Sequence, residues 1–460
     1  MSVAYEDFIA TKAKHCEASG FEPTWIPDLA MDFQRYLIEW MVRIGRGATF
    51  AECGLGKTLM QLAWAENVVR HTNRPVMLAT PLAVGAQTQL EAEKFGVAAK
   101  RTRDGAMTDD ACVWITNYEQ LHKYDPTRFG GFCGDESSAI KDSKSVRCDV
   151  VSEFCRRMPY RSLWTATAAP NDYHELGTSS EVLGYLGYRD MLTMFFRQDN
   201  DKSIAGGWGR AKYRFIGHAE QPFWSWVCSW ARSLRKPSDL GFDDTRFELP
   251  PLNEVDHMVK SAVPRAGQLF TVAARDMREE RAERRHSLAE RCGRIADLFS
   301  SVEGPAVAWC ELNDEGDELE RVISGAVQIS GADSDDEKEE KLTAFSAGQI
   351  KRLVTKPKIG AWGLNWQHCS DVAVLPSHSY EQYYQLVRRF YRFGQKKQVN
   401  VHRVICEGEE NILRSLQRKQ GQADRMFESV VRHMGDAMHI VSKDFFPHAE
   451  KVPTWLSSTK

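Results

Sequence analysis

The stretch ECGLGKT, residues 52–58, restricts the fold of this 460-residue chain more than any other. It is a glycine-rich turn between a short apolar run, "ATFA", and a helix-periodic segment, "LMQLAWAENVV". Such a turn lets backbone N–H groups converge at a helix start, which makes a cradle for phosphate oxygens. On this reading Gly54, Leu55 and Gly56 wrap the phosphates of ATP. Lys57 reaches the β and γ phosphates, and the Thr58 hydroxyl takes Mg2+. A P-loop names the fuel and leaves open what it drives.

The rest of the chain says what kind of sheet carries that turn. Short apolar runs alternate with helix-periodic segments twice, the pattern of parallel sheets wound with helices. "RPVMLATP" and "ACVWITNYEQL" read as strands of a first α/β half; "PAVAWCELN", "GAVQISG", "IKRLVTKP", "SDVAVLPS" and "VNVHRVI" read as strands of a second. Between the halves the rhythm breaks in aromatic-rich sequence ("MLTMFFRQDN", "QPFWSWVCSWARSL"). Those rings either stack on bases or pack a core, and core packing is the commoner fate at helical spacing. "REERAERRHSLAERCGRIADLF" mixes Arg and Glu three and four apart, which predicts a solvated helix laced with ion pairs; phosphate tracking is the alternative. The expected organisation is an N-terminal extension (1–30), a first domain (31–177), a mostly helical insertion and linker (178–298), a second domain (299–435) and a tail (436–460).

Composition narrows the partners. The net charge is -3, so any nucleic-acid site is a local cleft and not a generally basic surface. Eleven cysteines are scattered without a C-x-x-C pair, which argues against structural zinc and against a disulfide framework. The first residues lack a signal-type apolar core and no later run approaches membrane-spanning length. A reducing, cytoplasmic setting is the expectation.

Two further motifs support the P-loop. In "GDESSAIK", Asp135 is placed to hold Mg2+ and Glu136 to orient and deprotonate the attacking water, the two roles that phosphoanhydride hydrolysis needs. In "YYQLVRRFYRFGQKK", Arg389 and Arg392 lie three apart on one helix face, where two guanidinium groups can meet a γ-phosphate bound by the other half. The run "RFGGFCG" before Asp135 is too rich in glycine to read as a central strand.

In order along the chain, these motifs resemble those of superfamily 2 helicases, the Swi/Snf-type DNA translocases and their compact phage relatives especially. The likeness covers roughly 33–419. "MDFQRYLIEWMV" is similar to the family's glutamine motif, which puts Gln34 at the adenine edge. "AECGLGKT" matches DEMGLGKT, and "ATPLAVGAQTQ" resembles the next motif, implying that Thr80 and Pro81 lie near the nucleic-acid backbone. "TATAAPN" resembles the coupling motif through Thr165, Thr167 and Asn171, and "TKPKIGAWGLN" a glycine motif through Thr355, Gly360, Gly363 and Asn365. Of these, Gly363 is assigned to nucleotide binding and Thr355 to the nucleic acid. "QLVRRFYRFGQ" carries the arginine motif in Gln385, Arg389 and Arg392, with Gln385 assigned to coupling.

The family implies two RecA-like domains sandwiching ATP and Mg2+, with nucleic acid crossing both. The likeness to its compact phage members implies a bacterial or phage-infected cell. Departures stand at Ser138, where the family has histidine, and at Ala168, where it has proline. The resulting expectation is an ATP-dependent translocase on DNA, duplex favoured and single strands possible. Alternatives are a nucleic-acid binder or annealer switched by ATP with weak turnover, and an RNA helicase of the same architecture.

Overall fold

The computed structural model describes residues 18–82, 84–102, 104–108, 112–198, 213–260, 277–360, 365–407 and 409–445. Two parallel sheets form two lobes. The first lobe contains β1 (Arg46–Ala51), β2 (Val76–Thr80), β3 (Ala99–Arg101), β4 (Val113–Asn117), β5 (Gly131–Asp135) and β6 (Tyr160–Thr165). A small hairpin of β7 (Phe196–Gln198) and β8 (Tyr213–Phe215) precedes β9 (Ala231–Leu234). The second lobe is built from β10 (Leu252–Val259), β11 (Ala306–Trp309), β12 (Ala326–Ile329), β13 (Arg352–Thr355), β14 (Asp371–Val374) and β15 (Val399–Cys406). Their orders are β3-β4-β2-β5-β6-β1-β9 and β10-β15-β14-β11-β13-β12. Every pairing within these two sheets is parallel.

Helices cover the sheet faces, so the central strands are apolar on both sides: β2 and β5 are buried along their whole length. The helix Asp32–Ile44 shows how one element is specified. Phe33, Leu37, Ile38, Met41 and Val42 recur three and four apart and are all buried, and the helix stops at Gly45 with φ +76°.

The glycine-rich β5 is the centre of the first sheet, contrary to the sequence reading. Its glycines are required by close packing. A Cβ on Gly131 would lie 3.1 Å from Val68 and 3.2 Å from the Tyr160 carbonyl, and one on Gly134 would lie 3.0 Å from both Leu163 and the Tyr118 hydroxyl. Flanking strands β2 and β6 supply the order that glycine lacks.

The aromatic stretch packs a core. Phe195, Phe223, Trp224, Trp226 and Trp230 are buried with the first lobe's own residues. The segment expected to be an insertion supplies an edge strand to each sheet, β9 beside β1 and β10 beside β15. Its charged helix also differs from expectation. Arg284 and Arg291 are buried and share Glu315 at 3.0 Å each, with Glu409 alongside. The ion pairs are internal because the partner acids come from distant elements, which helical spacing does not reveal.

The last described element is one long helix, Glu410–Phe445, which begins in the second lobe and returns to the first. Met426, Phe427, Val430 and Met434 are buried in the first-lobe core. Arg235 pairs with Asp424 at 2.6 Å and lies over the Phe427 ring.

Candidate nucleotide site between the lobes

In an open parallel sheet, ligands meet the loops at the carboxyl ends of the strands. Three such loops adjoin here because the central order is β5-β6-β1. The P-loop follows β1, Asp135 and Glu136 close β5, and Thr165 ends β6 between them.

The P-loop has the backbone its glycines suggest. Gly54 and Gly56 stand at φ +89° and +77°, in the left-handed region, and the helix Lys57–Thr72 starts immediately after. Leu55 is buried, and half-buried Thr58 lies in the helix's first turn. Lys57 Nζ donates to the carbonyl oxygens of Ala51 (3.0 Å) and Glu52 (3.4 Å). Gln34 is fixed against the same loop: its Nε2 donates to the Leu55 carbonyl at 2.9 Å, and its Oε1 accepts from Met31 N–H at 3.0 Å. A side chain at position 56 would collide with it, since a Cβ there would lie 2.3 Å from Gln34 Nε2.

Asp135 and Glu136 are both buried, and Glu136 has φ +47°. Gln61 Nε2 donates to Asp135 Oδ1 at 2.6 Å, and the Tyr118 hydroxyl donates to the Asp135 carbonyl at 2.6 Å. Burial, reinforced by the neighbouring Glu136 carboxylate, pushes the Asp135 pKa up to about 7. Two carboxyls held side by side away from water suit a divalent cation, whose charge offsets their repulsion.

Thr165 Oγ1 donates to Glu136 Oε2 at 3.3 Å and accepts from Thr167 N–H at 3.0 Å. A link between the acids and the coupling motif therefore exists through Thr165. The Ser138 hydroxyl has no hydrogen-bond partner among the described residues, and Asn171 is bound to Glu175 through both its N–H and its side chain.

The second lobe closes directly on this arrangement. A Cβ on Gly54 would lie 2.8 Å from Phe393 N and 3.5 Å from the Arg392 Cβ. Gln385 Nε2 donates to Glu136 Oε2 at 3.5 Å, and Arg389 Nη2 donates to Gln385 Oε1 at 3.1 Å. Burial lowers the Arg389 pKa to about 10, opposed by nearby acidic groups that include Glu136 and Asp135. Lys57, Asp135, Glu136, Gln385, Arg389 and Arg392 thus share one interlobe site.

Other sequence-assigned residues lie elsewhere. Thr80 and Thr355 end β2 and β13, and both hydroxyls turn inward, onto the Pro81 and Ile329 carbonyls at 3.0 and 3.3 Å. Gly360 packs on Trp309 and Trp366, and exposed Asn365 donates to Gln367 at 3.5 Å. Gly363 lies outside the described residues.

Sequence reasoning passed over Glu52, Tyr384 and Arg388. Tyr384 donates its hydroxyl to Glu52 Oε1, and Arg388 Nη2 reaches Glu52 Oε2 at 3.0 Å. Their signal was a helical stripe: Glu381, Tyr384, Gln385 and Arg388 recur three and four apart. Glu381, at the start of that stripe, pairs with Lys141 of the first lobe.

No protein-family model matches the chain. A Bacillus subtilis (strain 168) protein with the provisional name ATP-dependent helicase/translocase YwqA is 21% identical over 90% of this chain. The chain spans about half that relative's length, 50%. The structure of S. cerevisiae Dbp5 bound to RNA and ADP BeF3 superposes with a TM-score of 0.56 at 13% identity, covering 88% of this chain and 93% of the other. The Sulfolobus solfataricus SWI2/SNF2 ATPase core in complex with dsDNA aligns over 92% of this chain and 98% of its own, with 17% identity. Its TM-score of 0.42 decides nothing by itself. At these identities the solved structures speak to fold: two RecA-like lobes in tandem.

Proposed function

From the premise that the chain is a superfamily 2 helicase or translocase in fold and motif order, we propose that it hydrolyses ATP between its lobes to move along nucleic acid. Duplex DNA is the favoured track. The observation that carries this reading is the chain of contacts from Arg389 through Gln385 to Glu136, which joins the second lobe to the acids beside the P-loop. A phosphate-binding protein with no moving partner has no use for such a contact.

In this reading the N–H groups around Gly54 and Gly56, with Lys57, hold the phosphates, and Gln34 faces the base. Lys57 exchanges its bonds to the Ala51 and Glu52 carbonyls for phosphate oxygens. Glu136 orients the attacking water and takes its proton, while Arg389 and Arg392 oppose the charge that develops on the transferred phosphoryl group. Asp135 and Thr58 are the residues that would hold Mg2+, which neutralises phosphate charge when bound. Thr165 and Gln385 both hydrogen-bond Glu136, so a change at the acids is felt by the coupling motif and by the second lobe. The loops that follow β2 and β13, the first opening at Pro81, form the nucleic-acid face, with Thr80 and Thr355 buried at the strand ends behind them; contacts there go to the sugar-phosphate backbone more than to base edges.

Steady-state ATP hydrolysis with no nucleic acid, duplex DNA, single-stranded DNA and RNA tests this. We expect stimulation of about tenfold or more by duplex DNA, and loss of about a hundredfold in Lys57→Ala with the fold retained. Equal turnover in wild type and Lys57→Ala would remove the P-loop from the account. Stimulation by RNA alone would transfer the reading to an RNA helicase.

A further inference from the structure

We infer that Glu52, Tyr384 and Arg388 form a latch that positions Arg389 by holding the second lobe against the P-loop. The inference rests on the reading of the interlobe site as an ATPase centre.

Glu52 follows the last residue of β1 and has already given its backbone to the first lobe: its N–H donates to the Leu234 carbonyl at 2.9 Å, and its own carbonyl accepts from Lys57. Its carboxylate is also anchored at home, accepting from Cys53 N–H at 2.8 Å. Its other partners come from the second lobe, the Tyr384 hydroxyl and Arg388. Arg388 lies 5.1 Å from the centre of the Tyr384 ring and 5.3 Å from that of Tyr391, so the guanidinium is braced between rings while it reaches the acid. Glu52 is buried, and Arg388 and Tyr384 are largely shielded from water, where a charge pair is screened little by salt.

The position in the chain gives the latch its consequence. Arg388 and Arg389 are successive residues just past the helix Tyr380–Val387, which stops short of both Arg389 and Arg392, so these two lie in the following turn and not on one helix face as their spacing suggested. One side chain is tied to the strand end before the P-loop, and the other reaches Gln385 beside Glu136. Fixing Arg388 therefore fixes Arg389 within one peptide unit of its place. Glu381 of the same helix adds a second tie, to Lys141, which follows the acid motif. Because phosphates are gripped by first-lobe groups, loss of the latch acts on the transition state, where Arg389 is needed, more than on ATP binding.

The test combines kinetics with a measurement that does not depend on catalysis. Arg388→Met is expected to lower kcat by about tenfold or more with KM for ATP changed less than about threefold. Tyr384→Phe, which removes one hydroxyl, is expected to lower kcat by about threefold. Added to Arg389→Ala, Arg388→Met is expected to have no further effect, because the residue it positions is gone; a purely structural defect would multiply. Small-angle X-ray scattering of the nucleotide-free protein should show a larger radius of gyration in Arg388→Met than in wild type. Wild-type kcat in both single variants, multiplicative losses in the double variant, or an unchanged radius would overturn the latch. A wild-type protein without ATPase activity would instead defeat the functional reading, and scattering would still decide the latch.

Discussion

Asp135 is the residue at which charge, burial and chemistry meet. Its carboxyl is buried beside Glu136 and its pKa is about 7, well above the ordinary 3.8. Between those values the folded chain retains a proton that the unfolded chain has released, so stability attributable to this group falls as pH rises from about 4 to about 7. Below that window the group is neutral in both states. Above it the loss is complete. Thermal melts at a series of pH values should therefore show a slope across the window that Asp135→Asn flattens; parallel profiles for wild type and variant would contradict the assignment. Under the proposed function the same acid pair would take a divalent cation, whose charge offsets the repulsion between two neighbouring carboxylates.

At the scale of elements, most of the architecture was legible because fully buried strands write themselves as apolar runs. "VMLAT" and "VWITN" are β2 and β4, and "AVAW" is β11. What escaped was structure fixed by distant partners. β5 is too rich in glycine to read as a central strand, yet it is one, with Trp64, Val68 and Leu163 packed close against its glycines. Arg284 and Arg291 read as solvated and are buried because Glu315 and Glu409 arrive from elsewhere in the chain. The site shows the same division. Lys57, Asp135, Glu136 and Arg389 were marked by local motifs, whereas the Glu52 contacts needed the second lobe to be docked. The terminal helix carries a prediction of its own. Met426 is 1% exposed in the first-lobe core although its helix starts in the second lobe. Met426→Ala should cost about 2–5 kcal/mol in stability, read from the denaturant midpoint. An unchanged midpoint would mean that this helix is not packed there.

At the scale of the whole molecule, the proposed function has two lobes share one fuel site, with their relative position as its output. Direct contacts already cross the interface at the P-loop, at the acids and along the terminal helix. Under the proposed function, hydrolysis would alter the charge at the centre of these contacts and so give the lobes a reason to change their spacing with each turnover. Backbone-tracking contacts carry little base information, so movement along the track is the property to measure. Displacement of a triplex-forming third strand from duplex DNA measures movement along the duplex without requiring strand separation. The account predicts displacement that requires ATP, is abolished in Lys57→Ala and is strongly reduced in Arg389→Ala. Wild-type protein that hydrolyses ATP in the presence of duplex DNA yet displaces no more third strand than Lys57→Ala would contradict it, leaving ATP as a switch of binding and not a source of motion.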